Sequence, residues 1–75
     1  MTLREVVLRH FHTYRTITSF EAFAEYGITR LSAIIFDLRK HYIIGDEWVE
    51  RTNRFGETVR FKRYIMKGLI NGIKN

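Results

Sequence analysis

Seven cations crowd the last third of this 75-residue chain: Arg51, Arg54, Arg60, Lys62, Arg63, Lys67 and Lys74, opposed there by Glu57 alone, a balance of +6. Residues 1–50 carry Arg4, Arg9, Arg15, Arg30, Arg39 and Lys40 against Glu5, Glu21, Glu25, Asp37, Asp46, Glu47 and Glu50, a balance of −1. The net charge of +5 therefore belongs to one segment. Cations concentrated in this way attract polyanions, nucleic acid first and a membrane surface second.

Other chemistry has little to work with. His10 and His12 stand two apart, which on a helix turns them about 200° from one another. They cannot share a metal ion, and no third ligand accompanies them. The chain has two serines, no cysteine, no phosphate-cradling glycine loop and no isolated pair of carboxylates. We expect a binding protein, not an enzyme, with neither metal nor cofactor.

Seventy-five residues make one small domain. Folding at that size removes about 60% of the exposed surface, so the core is shallow. With 45% apolar and 15% aromatic residues the chain is too rich to be a disordered tail. Lacking cysteine, it has no disulfide or thiolate–zinc staple, and packing alone must hold it. Apolar runs such as Ala33-Ile34-Ile35-Phe36 fall far short of the roughly 20 residues of a membrane span, and no signal-peptide pattern opens the chain. The expectation is a soluble, cytoplasmic domain with no membrane partner.

No proline is present, so the glycines punctuate the chain. Thr2-Leu3-Arg4-Glu5 has capping-box spacing and starts a helix to about Tyr14, with Leu3, Val7, Phe11 and Tyr14 as its apolar stripe. Arg15-Thr16-Ile17 suits a short extended piece. A second capping box, Thr18-Ser19-Phe20-Glu21, starts another helix, with Phe20, Phe23 and Ala24 as the expected buried face. It ends at Tyr26-Gly27, where glycine takes the left-handed backbone of a helix terminus and Ile28 folds back. Thr29 is the expected N-cap of a third helix to about His41, with Leu31, Ile35, Leu38 and Tyr42 inward and Ile34 on the margin. Two helices joined by so short a turn cross steeply, as in a helix-turn-helix.

After Gly45 the apolar period falls from 3.6 to 2. Asp46–Thr52 and Glu57–Met66 read as strands around an Asn53–Gly56 turn. Val59, Phe61 and Ile65 would face the helices, Arg60 and Lys62 would face outward, and Val49 would point in with Trp48 at a partly covered edge. The whole is α+β: three helices and a charged hairpin, with residues 15–17 as a short third strand. Residues 1–66 form the domain and 67–75 a tail. Leu69, Ile70 and Ile73 fit packing on the first helix, a homodimer contact or a frayed end equally well.

The run from Ile17-Thr18 through Glu21-Ala22, Tyr26-Gly27-Ile28, Arg30-Leu31 and Ala33 to Asp37-Leu38-Arg39, followed by Trp48-Val49, resembles the small winged helix-turn-helix domain common in bacteriophage and prophage proteins. The likeness covers about residues 2–66, and Tyr-Gly-Ile with Asp-Leu-Arg is its specific part. It departs at His41-Tyr42, where the pattern usually has glycine. The resemblance implies DNA binding in a bacterial host cell, with roles such as transcription control or assistance at recombination or replication sites.

On a helical wheel the third helix sets Thr29, Ala33, Phe36 and Lys40 opposite its core stripe, with Arg30 and Asp37 on one flank and Ser32 and Arg39 on the other. In a major groove Arg30 would take guanine O6 and N7, Ser32 either base, and Ala33 a thymine methyl. Asp37 has His41 and Arg30 within pairing reach. Arg51, Asn53, Arg54, Arg60 and Lys62 on the hairpin would meet phosphates or enter a minor groove. Thr18 and Ser19 either cap their helix or hold a further phosphate. Phe36 is a poor phosphate neighbour. It either packs under the hairpin or, with Trp48, Leu69 and Ile73, anchors a host protein, which is the competing reading of the molecule.

Overall fold

The computed structural model describes residues 1–70. In chain order the elements are α1 (Leu3–Tyr14), β1 (Thr16–Thr18), α2 (Ser19–Tyr26), α3 (Leu31–Leu38), β2 (Tyr42–Thr52) and β3 (Thr58–Leu69). The strands form one antiparallel sheet in the order β1-β3-β2. The β2–β3 hairpin runs far beyond the helices, and the molecule measures 49 Å along its longest axis but only 24 and 21 Å across.

Both capping boxes form. Thr2 and Thr18 accept the N–H groups of Glu5 and Glu21, whose carboxylates accept back from the threonine N–H groups. Gly27 ends α2 at φ 70°, and the Ile28 N–H reaches the Ala22 carbonyl at 3.1 Å, which seats Ile28 in the core. Arg15 ends α1 in the same left-handed region, at φ 70°. That conformation is strained for a residue with a Cβ. It is held because the Arg15 N–H donates to Phe11 and its carbonyl accepts from Met66.

The core consists of Val7, Phe11, Ile17, Ala22, Ile28, Leu31, Ile35, Leu38, Ile44 and Tyr64. On α1 it differs at both ends from the expected stripe, since Leu3 and Tyr14 are exposed and His10 is buried. On α2 the expected face is reversed. Phe20, Phe23 and Ala24 are exposed and Ala22 alone is buried. Thr18 belongs to β1 and is itself buried, so the sheet sets the rotation of α2 and its smallest inward residue makes the close approach.

Helix α3 is shorter than expected. Arg30, not Thr29, is its N-cap, with no side-chain cap bond, and it ends at Leu38. Residues 39–41 turn directly into β2, which starts at Tyr42. No glycine is needed there, because the Lys40 and His41 N–H groups bond the Asp37 and Leu38 carbonyls.

The parity of the hairpin is also opposite to expectation. Ile44 pairs with Met66 and Ile17 with Tyr64, so the face carrying Ile17, Ile44, Tyr64 and Met66 packs on the helices. Val49, Val59, Phe61 and Ile65 lie on the other face, while Trp48, Arg60 and Lys62 share the core-side face beyond the point where the helices stop. The pairing of Ile17 with Tyr64 sets this phase on β3, and β3 passes it to β2 through Ile44 and Met66. The register shifts between Ile43 and Ile44, where Lys67 of β3 is the extra residue. Strand β3 also continues past Met66, pairing Leu69 with Tyr42, so Lys67 to Leu69 belong to the sheet. Ile73 lies outside the described residues.

Candidate nucleic-acid interface

The outer side of α3 begins with Thr29 and Arg30 and continues through Ser32, Ala33 and Phe36, all exposed, Phe36 at 69%. Lys40 follows in the turn, its ammonium 5.7 Å from the centre of the Phe36 ring. Asp37 does not pair with His41 or Arg30. It lies 3.7 Å from Lys40 and 3.8 Å from Arg4 of α1, so its charge is shared between two cations.

Arg39 connects α3 to the hairpin. Its guanidinium donates to Asp46 Oδ2 at 2.9 Å and to the Ile44 carbonyl at 3.1 Å, and lies over the Tyr64 ring. The Arg39 hydrogen bond, and then the nearby charges of Lys62 and Arg39, hold the Asp46 carboxyl below its ordinary value against a smaller opposing desolvation. Lys62 approaches the same carboxylate at 3.9 Å. Trp48, 58% exposed, pairs with Lys62 across the strands and lies 5.1 Å from Arg60 and 5.5 Å from Lys62. Arg60 reaches Glu50 at 3.6 Å. The sequence reading missed Arg39 and Asp46 as a joint, because their pairing spans the α3–β2 turn.

At the tip, the Asn53 side-chain oxygen accepts the N–H groups of Phe55 and Glu57, at 2.9 and 3.0 Å. Asn53 thereby builds the turn, and Gly56 completes it at φ 80°. Arg54 sits at the apex beside the exposed Phe55. Among the described residues Arg30, Arg51 and Arg54 have no acidic partner, whereas Lys40, Arg60 and Lys62 each have one.

Two further side chains have structural places in this fold, Thr18, for which capping was one of the two expected roles, and His10, for which no ligand was expected. Thr18 is buried and occupied in its capping box. His10 is buried between α1 and α2, its Nδ1 2.7 Å from the Tyr26 hydroxyl and its Nε2 4.0 Å from Glu21. Burial, and then neighbouring Glu25, Tyr14 and Glu21, raise the pKa of that Tyr26 hydroxyl.

Three helices, the last two joined through Gly27, then lead into a projecting antiparallel hairpin. The family whose description is "winged helix-turn-helix domain" matches residues 2–68, nearly the whole chain. The protein belongs to the winged helix-turn-helix domain family. No curated protein and no solved structure matches it. In the terms of the family, α3 is the second helix of the helix-turn-helix and the β2–β3 hairpin is the wing. Membership points to DNA binding, the use to which such domains put a helix in a groove and a wing beside it. No helix among the described residues is long and apolar enough to cross a membrane.

Proposed function

We propose that this winged helix-turn-helix protein binds duplex DNA, with the outer side of α3 in the major groove and the wing on the flanking backbone. One observation carries the reading. Arg39, Asp46 and Lys62 join the exposed side of α3 to the wing as one surface, and unpaired arginines stand at its two ends, Arg30 at the start of α3 and Arg54 at the wing tip, with Arg51 near the tip on the wing's other face. Arg30, Ser32 and Ala33 supply base contacts; Thr29, Lys40, Arg51, Arg54, Arg60 and Lys62 supply phosphate contacts. Asn53 contributes by shaping the tip. The charge asymmetry and the resemblance to phage and prophage domains support a regulatory or architectural role in a phage or prophage setting, acting on transcription, recombination or replication inside the bacterial host.

The test is fluorescence anisotropy of a random-sequence duplex titrated at several salt concentrations. Micromolar binding whose log–log salt slope is about −3 to −6 is expected, and no binding at ~50 mM salt overturns the reading. A second reading rests on Phe36, whose exposure on the outer side of α3 also suits a host-protein contact together with Trp48 and Leu69. Under that reading Phe36→Ala destroys binding to the host protein and the wing charges hardly matter.

A further inference from the structure

The sheet order β1-β3-β2 leaves β2 with a neighbour on one side only. Which of its backbone groups face the open side follows from two hydrogen bonds. The Met66 N–H donates toward β1, to the Arg15 carbonyl, so Met66, Tyr64 and Lys62 turn their backbone groups away from β2. Their partners in β2 are Ile44, Asp46 and Trp48, which turn theirs to the open side. The Arg39 guanidinium bonds the Ile44 carbonyl at 3.1 Å, as that phase requires. Arg39 thus closes the edge at Ile44. Beyond it Asp46, Trp48, Glu50 and Thr52 offer N–H and carbonyl groups with no strand beside them, a template for another strand.

The charges along this edge, Asp46, Glu47, Glu50 and Arg51, decide which strand can join it. Consider β2 of a second copy, antiparallel, with one residue on the two-fold axis. With Asp46, Glu47, Glu50 or Arg51 on the axis, that charge meets its own kind. With Trp48 there, Asp46 of each copy meets Glu50 of the other. With Val49 there, Glu47 of each copy meets Arg51 of the other, Val49 meets Val49, Trp48 meets Glu50, and Asp46 meets Thr52. Only this last register has no like charges opposite one another, and it adds two ion pairs. Glu47, Val49 and Arg51 turn their backbone groups to β3, so across the new contact they form the close, non-hydrogen-bonded pairs.

We propose that the open edge of β2 pairs with the same edge of a second copy, Val49 on the two-fold axis, to join the two wings in one six-stranded sheet. Arg51 has no acidic partner among the described residues, and here it gains Glu47 of the second copy. Glu47 then serves Arg63 and that Arg51 together, which leaves one positive charge at each site. The net charge of +5 does not forbid the contact, because β2 carries three acids against Arg51 while Arg60, Lys62, Arg63 and Lys67 stand on β3. Residues opposite one another in an antiparallel pair share a face, so both helical bodies lie on one side of the joined sheet. Ile44, bonded to Arg39 at the end of α3, is five residues from Val49 in each copy, which sets the two bodies about 33 Å apart along the strands. Paired helix-turn-helix units on DNA stand one helical turn, about 34–36 Å, apart. That last match rests on the DNA reading; the pairing of the edges does not.

The test is sedimentation of the intact protein without DNA, so that its outcome is independent of the duplex titration. The mass should rise from 9.0 kDa toward twice that value. The rise should fall between ~1 μM and ~1 mM, the range open to a small interface. Arg51→Glu, at an exposed position, sets two carboxylates opposite one another and should weaken the dimer by ~10-fold or more. Mixed with Glu47→Arg, it should recover the dimer, since each contact in the mixed pair again joins opposite charges. The chain has no cysteine, so Val49→Cys introduces a single thiol, on the axis. There the two Cα atoms stand about 4.5 Å apart, within disulfide reach, and mild oxidation should link the copies. Thr52→Cys, about 20 Å from its counterpart, should stay unlinked at the same concentration. A mass that remains 9.0 kDa up to ~1 mM overturns the proposal. So does a dimer that Arg51→Glu leaves unchanged, or linkage of Thr52→Cys as fast as that of Val49→Cys.

Discussion

The two faces of the wing carry similar numbers of cations and use them differently. On the face continuous with α3, Arg60 and Lys62 are matched by Glu50 and Asp46, and Trp48 lies between them. On the opposite face Arg63 is matched by Glu47, Arg51 is not, and the space between is floored by Val49, Val59 and Phe61. Counting arginines and lysines along the strands therefore overstates what the first face can offer a phosphate. Exposed ion pairs add little stability, but a cation already paired gives up part of its attraction for a new anion.

The comparison can be broken most sharply at its base. Tyr64, 7% exposed, lies on the core-side face, whereas Val59 lies on the other. Tyr64→Ala should destabilise the fold by about 3–5 kcal/mol, and Val59→Ala by about 1 kcal/mol or less, in chemical denaturation. Equal losses would mean that the face assignment is wrong. A smaller difference should appear in the salt dependence of DNA binding. Arg51→Ala and Arg54→Ala should each reduce the slope by about 0.9, and Arg60→Ala and Lys62→Ala by about half as much. The same reduction from all four would dissolve the distinction between paired and unpaired cations.

The smallest expected effect concerns Asp46 and acid. Its folded carboxyl titrates below the ordinary 3.8 because of Arg39, then Lys62. The unfolded chain therefore binds its proton first as pH falls. The stabilisation this confers is full above about 3.8 and fades as pH drops through the lower folded value. Thermal melts of the protein and of Asp46→Asn should differ at neutral pH and converge in acid. Curves that stay parallel down to pH ~2 would remove Asp46 from the joint between α3 and the wing.

How much was legible follows from the range of each signal. Both capping boxes, the Gly27 terminus with Ile28 folded back, and the Asn53–Gly56 turn depend on neighbours within a few residues, and all were readable. Arg15 was not, because its left-handed backbone is held by Met66, fifty-one positions away in sequence. Phe20 and Phe23 were expected inside on hydrophobicity, yet the rotation of α2 is set by the sheet through Thr18, and the small Ala22 faces the core. Trp48 and Val49 posed the same difficulty in the wing, where one residue of phase exchanges the two faces.

The sequence by itself determined the starts of α1 and α2, the turn at Gly27, the hairpin and the concentration of positive charge in its last third. Each of these is a local property of residue type and spacing. Tertiary structure alone decided which face of the wing is which, which arginines remain unpaired and which strand edge stays open. Those depend on how β1 pairs with β3 and on where β1 and the helices stop covering the sheet. Only the assembled chain brings Arg39 to Asp46, or Phe20 to Val59 and Phe61, because each meeting joins elements that the sequence holds apart.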